Sequence, residues 1–254
     1  MNTNSNTYTI IYTTVIVTLV AAVLAFVSQS LKSRQEANEK ADTISQMMTA
    51  AQFATKADLQ KMGNTAVLAK YADEIAQAFT VGADGKKISD LDLSKVYSPK
   101  DLKKQNYNIK GGSNAEIPVF IFKNGVTVVP VYGAGLWGPV WGYIAFEPSS
   151  NTIKGAYFDH ESETAGLGAK IKDDPEFQAE FNGEQADFTT ANVFDIVKGG
   201  APKNADGSSV IDNKIDAITG ATMTSNGLDA AIDTWLGAYS AYFKGIAANK
   251  TEEE

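Results

Sequence analysis

The first thirty-one residues carry no charged side chain, and every Lys, Arg, Asp and Glu of the chain lies beyond them. Within this stretch Tyr8–Leu31 is mostly apolar, with a solid centre at Val15–Val27. As a helix it would span roughly 36 Å at about 1.5 Å per residue, enough to cross a bilayer core with some tilt. Tyr8 and Tyr12 sit where interfacial aromatics are expected, and Lys32 and Arg34 mark the other end. A cleaved signal peptide is the alternative. It fits less well, because MNTNSNT has no Lys or Arg and the apolar run is longer than a usual leader core. Residues 8–31 are therefore read as a single transmembrane helix after a short tail, 1–7. Lys32, Arg34 and Lys40 follow the span and only the α-amino group precedes it, so charge alone would place the large domain in the cytoplasm.

The remainder of the 254 residues is long enough for a sizeable core. The absence of cysteine excludes a disulfide framework, a thiolate nucleophile and Cys-ligated metal or iron–sulfur sites. A lone histidine argues against a His-rich metal site or a Ser-His-Asp triad, and no metal ligands are assigned. A net charge of −8 argues against nucleic acid as a partner.

Residues 35–80 are rich in Ala, Gln, Glu, Lys and Met and read as helix, broken at Gly63-Asn64, with a turn at Val81–Gly85. Lys86–Gly112 reads as polar and irregular, so residues 32–110 are expected to be a helical and irregular connecting region. Four β-branched and aromatic runs follow, at Ile117–Phe122, Val126–Tyr132, Val140–Phe146 and Ile153–Phe158, an antiparallel meander. Asp174–Phe181 reads as a short helix and Gly199–Ser209 as a loop. Leu228–Phe243 is an amphipathic helix with Leu228, Ile232, Trp235, Leu236, Tyr239 and Phe243 on one stripe, and an acidic tail covers 247–254. The expected fold class is α+β, with the sheet domain and its flanking helices over 111–246.

Four segments could carry chemistry. Gly133–Gly138 matches G-x-G-x-x-G, but a second strand follows where a dinucleotide site needs a helix, so a tight inter-strand loop fits better. His160, beside Glu161 and Glu163, is read as structural. Glu163-Thr164-Ala165-Gly166-Leu167-Gly168 is a small-residue loop whose glycines permit close approach of a ligand or an ordinary turn. Asp216-Ala-Ile-Thr219-Gly220-Ala221-Thr222-Met-Thr224-Ser225 stands just ahead of the last helix. Its hydroxyls can cap that helix, or the helix N-terminus can seat a phosphate; residue chemistry leaves both open.

That last segment resembles the flavinylation motif Asp-x-x-(Ser/Thr)-Gly-Ala-Thr of FMN-binding domains in membrane redox pumps. The resemblance implies FMN held covalently through a phosphoester on Thr222, with no catalytic acid or base supplied by this chain. Thr219, Gly220, Ala221, Thr224 and Ser225 would bind around it, and Asp216 would serve the motif. The 163–168 loop resembles the Glu-Thr-Pro-Gly-Leu-Gly loop of the same domains, with Ala165 in place of proline. Glu163, Thr164, Gly166, Leu167 and Trp137 would then flank the flavin ring, with Trp141 as a further wall. Gly135-Leu-Trp is similar to a segment of the family of C subunits of Na⁺-translocating NADH:quinone oxidoreductases.

This family likeness implies an electron-carrying component of a sodium pump, working with the flavin-bearing B subunit and the iron–sulfur-holding D and E membrane subunits. It also implies a separate flavin transferase for maturation. The domain would lie on the outer, periplasmic face of the bacterial cytoplasmic membrane, against the charge rule. The G subunit of Rnf ferredoxin:NAD⁺ complexes and a stand-alone membrane-anchored flavin carrier are alternatives. So is an anchored binding module without flavin, in which Thr222–Ser225 only cap a helix.

Overall fold

The computed structural model describes residues 5–112, 114–204 and 210–253. Residues 205–209 of the loop read over Gly199–Ser209, residues 1–4 of the N-terminal tail and Glu254 of the acidic tail lie outside that description. The chain divides into two compact units, Met1–Lys40 and Ala41–Glu254. The first contains most of helix α1 (Asn6–Ala50), the one described helix long and apolar enough to cross a membrane. Its exposed face includes Ile10, Val17, Leu24 and Phe26.

In the second unit the texture of α1 changes. Ala41, Ile44, Met47, Met48 and Ala50 are buried, because here the helix has a protein core to cover. Helices α2 (Lys56–Met62) and α3 (Asn64–Glu74) follow, divided at Gly63, whose φ of 77° stops the first helix. The stretch expected to connect anchor and domain then enters the sheet. Strand β1 (Ile75–Val81) turns through Val81–Gly85 into β2 (Lys87–Asp90). The Ala/Gln texture of IAQAFTV reads as helix, but pairing with β3 (Ile117–Phe122) overrides that propensity. Between them, the segment expected to be irregular contains α4 (Pro99–Lys110). Ser98 and Asp101 form a reciprocal capping box with Pro99 in the first turn. Only Leu102 and Asn106 of this helix are buried, which leaves little apolar stripe to see in the sequence.

The meander is completed by β4 (Thr127–Ala134), β5 (Pro139–Phe146) and β6 (Ile153–His160). All six strands form one antiparallel sheet in the order β2-β1-β3-β4-β5-β6. The short helix expected over Asp174–Phe181 is α6 (Pro175–Ala179), capped by Asp174, and a further short helix, α5 (Lys170–Asp173), precedes it. Strands β7 (Asp195–Val197) and β8 (Lys214–Asp216) pair in parallel as a separate small sheet. The final helix, α7 (Thr222–Glu253), begins earlier than its apolar stripe, so the hydroxyl-rich segment forms its first turn instead of preceding it.

The stripe on α7 is buried as its period requires. Leu228, Ile232, Trp235, Leu236 and Tyr239 are fully buried and Phe243 nearly so. The two polar aromatics find partners at the sheet. Trp235 Nε1 donates to the Tyr132 carbonyl at 2.9 Å and to Asn106 Oδ1 at 3.1 Å, and the Tyr239 hydroxyl donates to the Pro118 carbonyl at 2.7 Å. Gly133 and Phe146 face α7 from the sheet. Trp141, one residue out of phase with Val140, points the other way, its Nε1 donating to Gln46 of α1 at 3.2 Å. The architecture is α+β: an antiparallel sheet with helices on its faces, preceded by an apolar helix.

Candidate functional site

At the end of β4 and the start of β5, residues 134–139 make a tight hairpin closed by the Gly135 N–H donating to the Gly138 carbonyl at 2.7 Å. The G-x-G-x-x-G match is thus a strand-to-strand turn, as expected, with no helix opening at it. Beside this hairpin lie the loop that follows β6 and the first turn of α7. Together they enclose a small open pocket of about 180 Å³, lined by Leu136, Thr164, Leu167, Gly168, Gly220, Ala221, Thr222 and Met223.

The pocket joins two unlike surfaces. Leu136, Leu167 and Met223 are 48%, 44% and 60% exposed, an apolar rim left open to solvent. The floor is the start of a long helix, where unpaired N–H groups and the helix dipole favour an anion. Gly220 has a φ of 82°, a left-handed turn that brings the chain into α7 with no side chain to close the approach. A flat apolar ring system carrying a phosphate matches this pairing. No charged side chain among the described residues lines the pocket.

The hydroxyls of the segment are sorted by their neighbours. Ser225 is fully buried, and its Oγ accepts the Ile218 N–H at 3.2 Å. Thr224 is buried and donates to Glu163 Oε2 at 2.6 Å. Thr219 is exposed and stands outside the pocket lining. Thr222 is half-buried in the lining itself, with no side-chain hydrogen bond among the described residues. Ser225 thus ties down the loop ahead of α7, Thr224 holds Glu163, and Thr222 is the hydroxyl of the segment left in the pocket lining.

The other expected site residues divide in the same way. Thr164 and Leu167 line the pocket, whereas Gly166 (φ 74°) shapes their turn. Glu163 is buried behind the wall, its Oε1 accepting the Trp137 N–H at 2.9 Å. Burial pushes this carboxyl up, but bonds from the Thr224 hydroxyl and the Trp137 N–H, with lesser help from those of Leu136 and Gly138, hold it below the usual glutamate range. Trp137 sits at the hairpin tip, 67% exposed, and the lining is supplied by its neighbour Leu136. Trp141 is on the opposite sheet face, because alternation along β5 turns it toward Gln46.

Asp216, at the end of β8, accepts the Ala201 N–H and pairs with Lys203 at 3.2 Å. It fixes the loop that precedes the pocket segment and does not line the cavity. His160 accepts the Glu163 N–H on Nδ1 at 3.1 Å, the structural role expected of it. Leu136, Gly168 and Met223 are additional lining residues. All three lie inside or beside the motif segments, but only chain folding shows which side chains turn inward.

The FMN-binding domain family matches residues 135–237, which takes in the hairpin, the loop after β6 and the first half of α7. The C subunit of the Na⁺-translocating NADH-quinone reductase of Vibrio campbellii is 35% identical over 124 residues, covering 47% of this chain and 45% of that protein. This match spans about half the length of each. The Vibrio parahaemolyticus C subunit is 28% identical over 224 residues, covering 82% of this chain and 81% of its own. The crystal structure of the C subunit from Parabacteroides distasonis superposes with a TM-score of 0.65 at 29% identity, over 84% of this chain and 96% of that one. Shewanella oneidensis NqrC gives 0.64 at 27% identity, over 84% and 99%. The antiparallel sheet, the Thr222 pocket and these likenesses agree: residues 135–237 match the FMN-binding domain family, and the chain is similar over most of its length to the C subunits of Na⁺-translocating NADH-quinone reductases.

Proposed function

We propose that this chain is the electron-carrying C subunit of a Na⁺-pumping NADH:quinone oxidoreductase, with FMN joined by a phosphoester to the Thr222 hydroxyl. The observation that carries the reading is the pocket floor. Thr222 is the pocket-lining hydroxyl of the segment and stands in the first turn of a long helix, beneath an exposed apolar rim. The α7 N-terminus would stabilise the phosphodiester anion, Leu136 and Leu167 would flank the ring, and Gly220 and Ala221 would leave the approach open. FMN, when bound, supplies reversible electron uptake and release. Its attachment through phosphate leaves the ring to be tuned by the protein's dielectric and hydrogen bonds.

On this reading a separate flavin transferase loads Thr222, and the working partners are the flavin-bearing B subunit and the iron–sulfur-holding D and E subunits. Helix α1 would anchor the chain in the bacterial cytoplasmic membrane, with the domain on the periplasmic face. The charge bias over one span is small, and long domains translocate largely regardless of it. Cysteine-free composition allows the side to be tested by thiol labelling of single introduced cysteines in intact cells.

The decisive experiment is a denaturing gel of native membranes under ultraviolet light, followed by mass mapping. A fluorescent band with FMN on the peptide containing Thr222, lost in Thr222→Ala, is expected. A dark band where the transferase is active would refute covalent attachment.

A further inference from the structure

The pocket wall is assembled from three segments far apart in sequence: the β4–β5 hairpin, the loop after β6, and the first turn of α7. One side chain behind the wall bonds to the other two. Glu163, itself in the loop after β6, is 7% exposed. Its Oε1 accepts the Trp137 N–H of the hairpin at 2.9 Å, and its Oε2 accepts the Thr224 hydroxyl of α7 at 2.6 Å. The adjacent Ser162 Oγ donates to the Trp137 carbonyl at 3.0 Å, so this hairpin residue is held at both its N–H and its carbonyl. His160 Nδ1, accepting the Glu163 N–H at 3.1 Å, holds the loop in turn.

We infer that Glu163 is a positioning residue that sets the width of the Thr222 pocket, tying the Leu136 wall to the first turn of α7 without entering the cavity. A carboxylate suits this place because both of its oxygens only accept, and each of its two partners donates. Bonds of this kind, to an ionised acceptor, are roughly twice as strong as neutral ones. The inference rests on the FMN reading only for what the pocket holds; the brace belongs to the chain itself.

Three substitutions separate the arms. Glu163→Ala removes both and leaves two donors without partners. Thr224→Val keeps the shape of residue 224 and removes only the α7 arm. Glu163→Gln keeps an acceptor for the Trp137 N–H, while its amide can donate to a Thr224 hydroxyl turned round to accept.

Each variant is made in the full chain, in a host with the transferase, and again in a Thr222→Ala background that needs no flavin. In that background the Trp137 amide should exchange hydrogen about tenfold faster in Glu163→Ala. A smaller rise is expected in Thr224→Val and near-native exchange in Glu163→Gln. In the Thr222 background, flavin fluorescence anisotropy should fall in the same order with attachment unchanged. Native exchange at Trp137 in Glu163→Ala, or a rise spread evenly over the whole sheet, would overturn the brace. Should Glu163→Ala fail to fold, native exchange and native anisotropy in Thr224→Val would overturn it instead. The expected exchange pattern among the variants, together with a Thr222 chain that carries no flavin, would sink the FMN reading and leave the brace standing.

Discussion

The seating of α7 can be tested with one substitution made at two places on the same helix. Gly227 and Gly237 both lie in α7, so Gly→Ala at either gains up to about 0.8–1 kcal/mol of helix propensity. At Gly237 the space a methyl would take is open, and nothing opposes that gain. Gly237→Ala should therefore raise the melting temperature by roughly 2–4 °C. At Gly227 the same methyl runs into the carbonyl oxygen of Ala134, with the Gly135 Cα 3.2 Å away. That carbonyl belongs to a strand residue paired with Pro139 and has no rotamer in which to move aside. Overpacking of this kind costs about 1–3 kcal/mol, and a backbone obstacle points to the upper half of the range. Subtracting the propensity gain leaves Gly227→Ala about 1–2 kcal/mol less stable than the native chain. Urea and thermal melts of the full chain in detergent, followed by far-ultraviolet circular dichroism, measure both. The reasoning fails if the two substitutions shift stability in the same direction, or if Gly227→Ala melts at or above the native chain.

Two further predictions concern how α7 is held. Trp235→Phe leaves the Tyr132 carbonyl and Asn106 Oδ1 without their donor and opens a small void, at a cost of about 2–3 kcal/mol; a urea midpoint unchanged within error would count against it. Asp233 of α7 accepts the Phe194 N–H at 3.3 Å, and burial, then the charges of Asp229 and Asp195, push its carboxyl from 3.8 up to about 6. A folded-state value above the unfolded one means that its contribution is fully present below the lower value and is lost as pH rises through the upper. Asp233→Asn should thus melt higher than the native chain at about pH 8 and lose that advantage near pH 4, whereas a constant difference would contradict the assignment.

Much of the sheet was legible because each of its last four strands is a short β-branched and aromatic run with turn residues at both ends. The α7 stripe was legible for a similar reason, since Leu228 through Phe243 repeat at helical spacing and have one surface to cover. Strand β1 was not, because its Ala and Gln favour helix locally and only the edge of β3 makes extended pairing worthwhile. Helix α4 had a readable start in Ser98-Pro99-Lys100-Asp101, but it buries too few residues to show a period. Asp216 and Glu163 were visible as motif members, and their tasks were not. Each acts through bonds to residues distant in sequence, Ala201 and Lys203 for the first, Trp137 and Thr224 for the second.

By itself the sequence determined the apolar N-terminal helix, the antiparallel character of the domain, the buried stripe of α7 and the segment that supplies the pocket floor. The first three depend on composition and on periods of two and 3.6, which neighbouring residues alone can express, and the last on a short motif. Only the tertiary structure decided that Thr222 faces the cavity while Thr224 and Ser225 turn away to hold Glu163 and Ile218. It also decided that Leu136 lines the pocket while Trp141 serves the opposite face. Four hydroxyls crowded into seven residues are chemically near-equivalent until the hairpin and the loop after β6 close around them. The choice among them is made by which donors and acceptors those distant segments bring within reach.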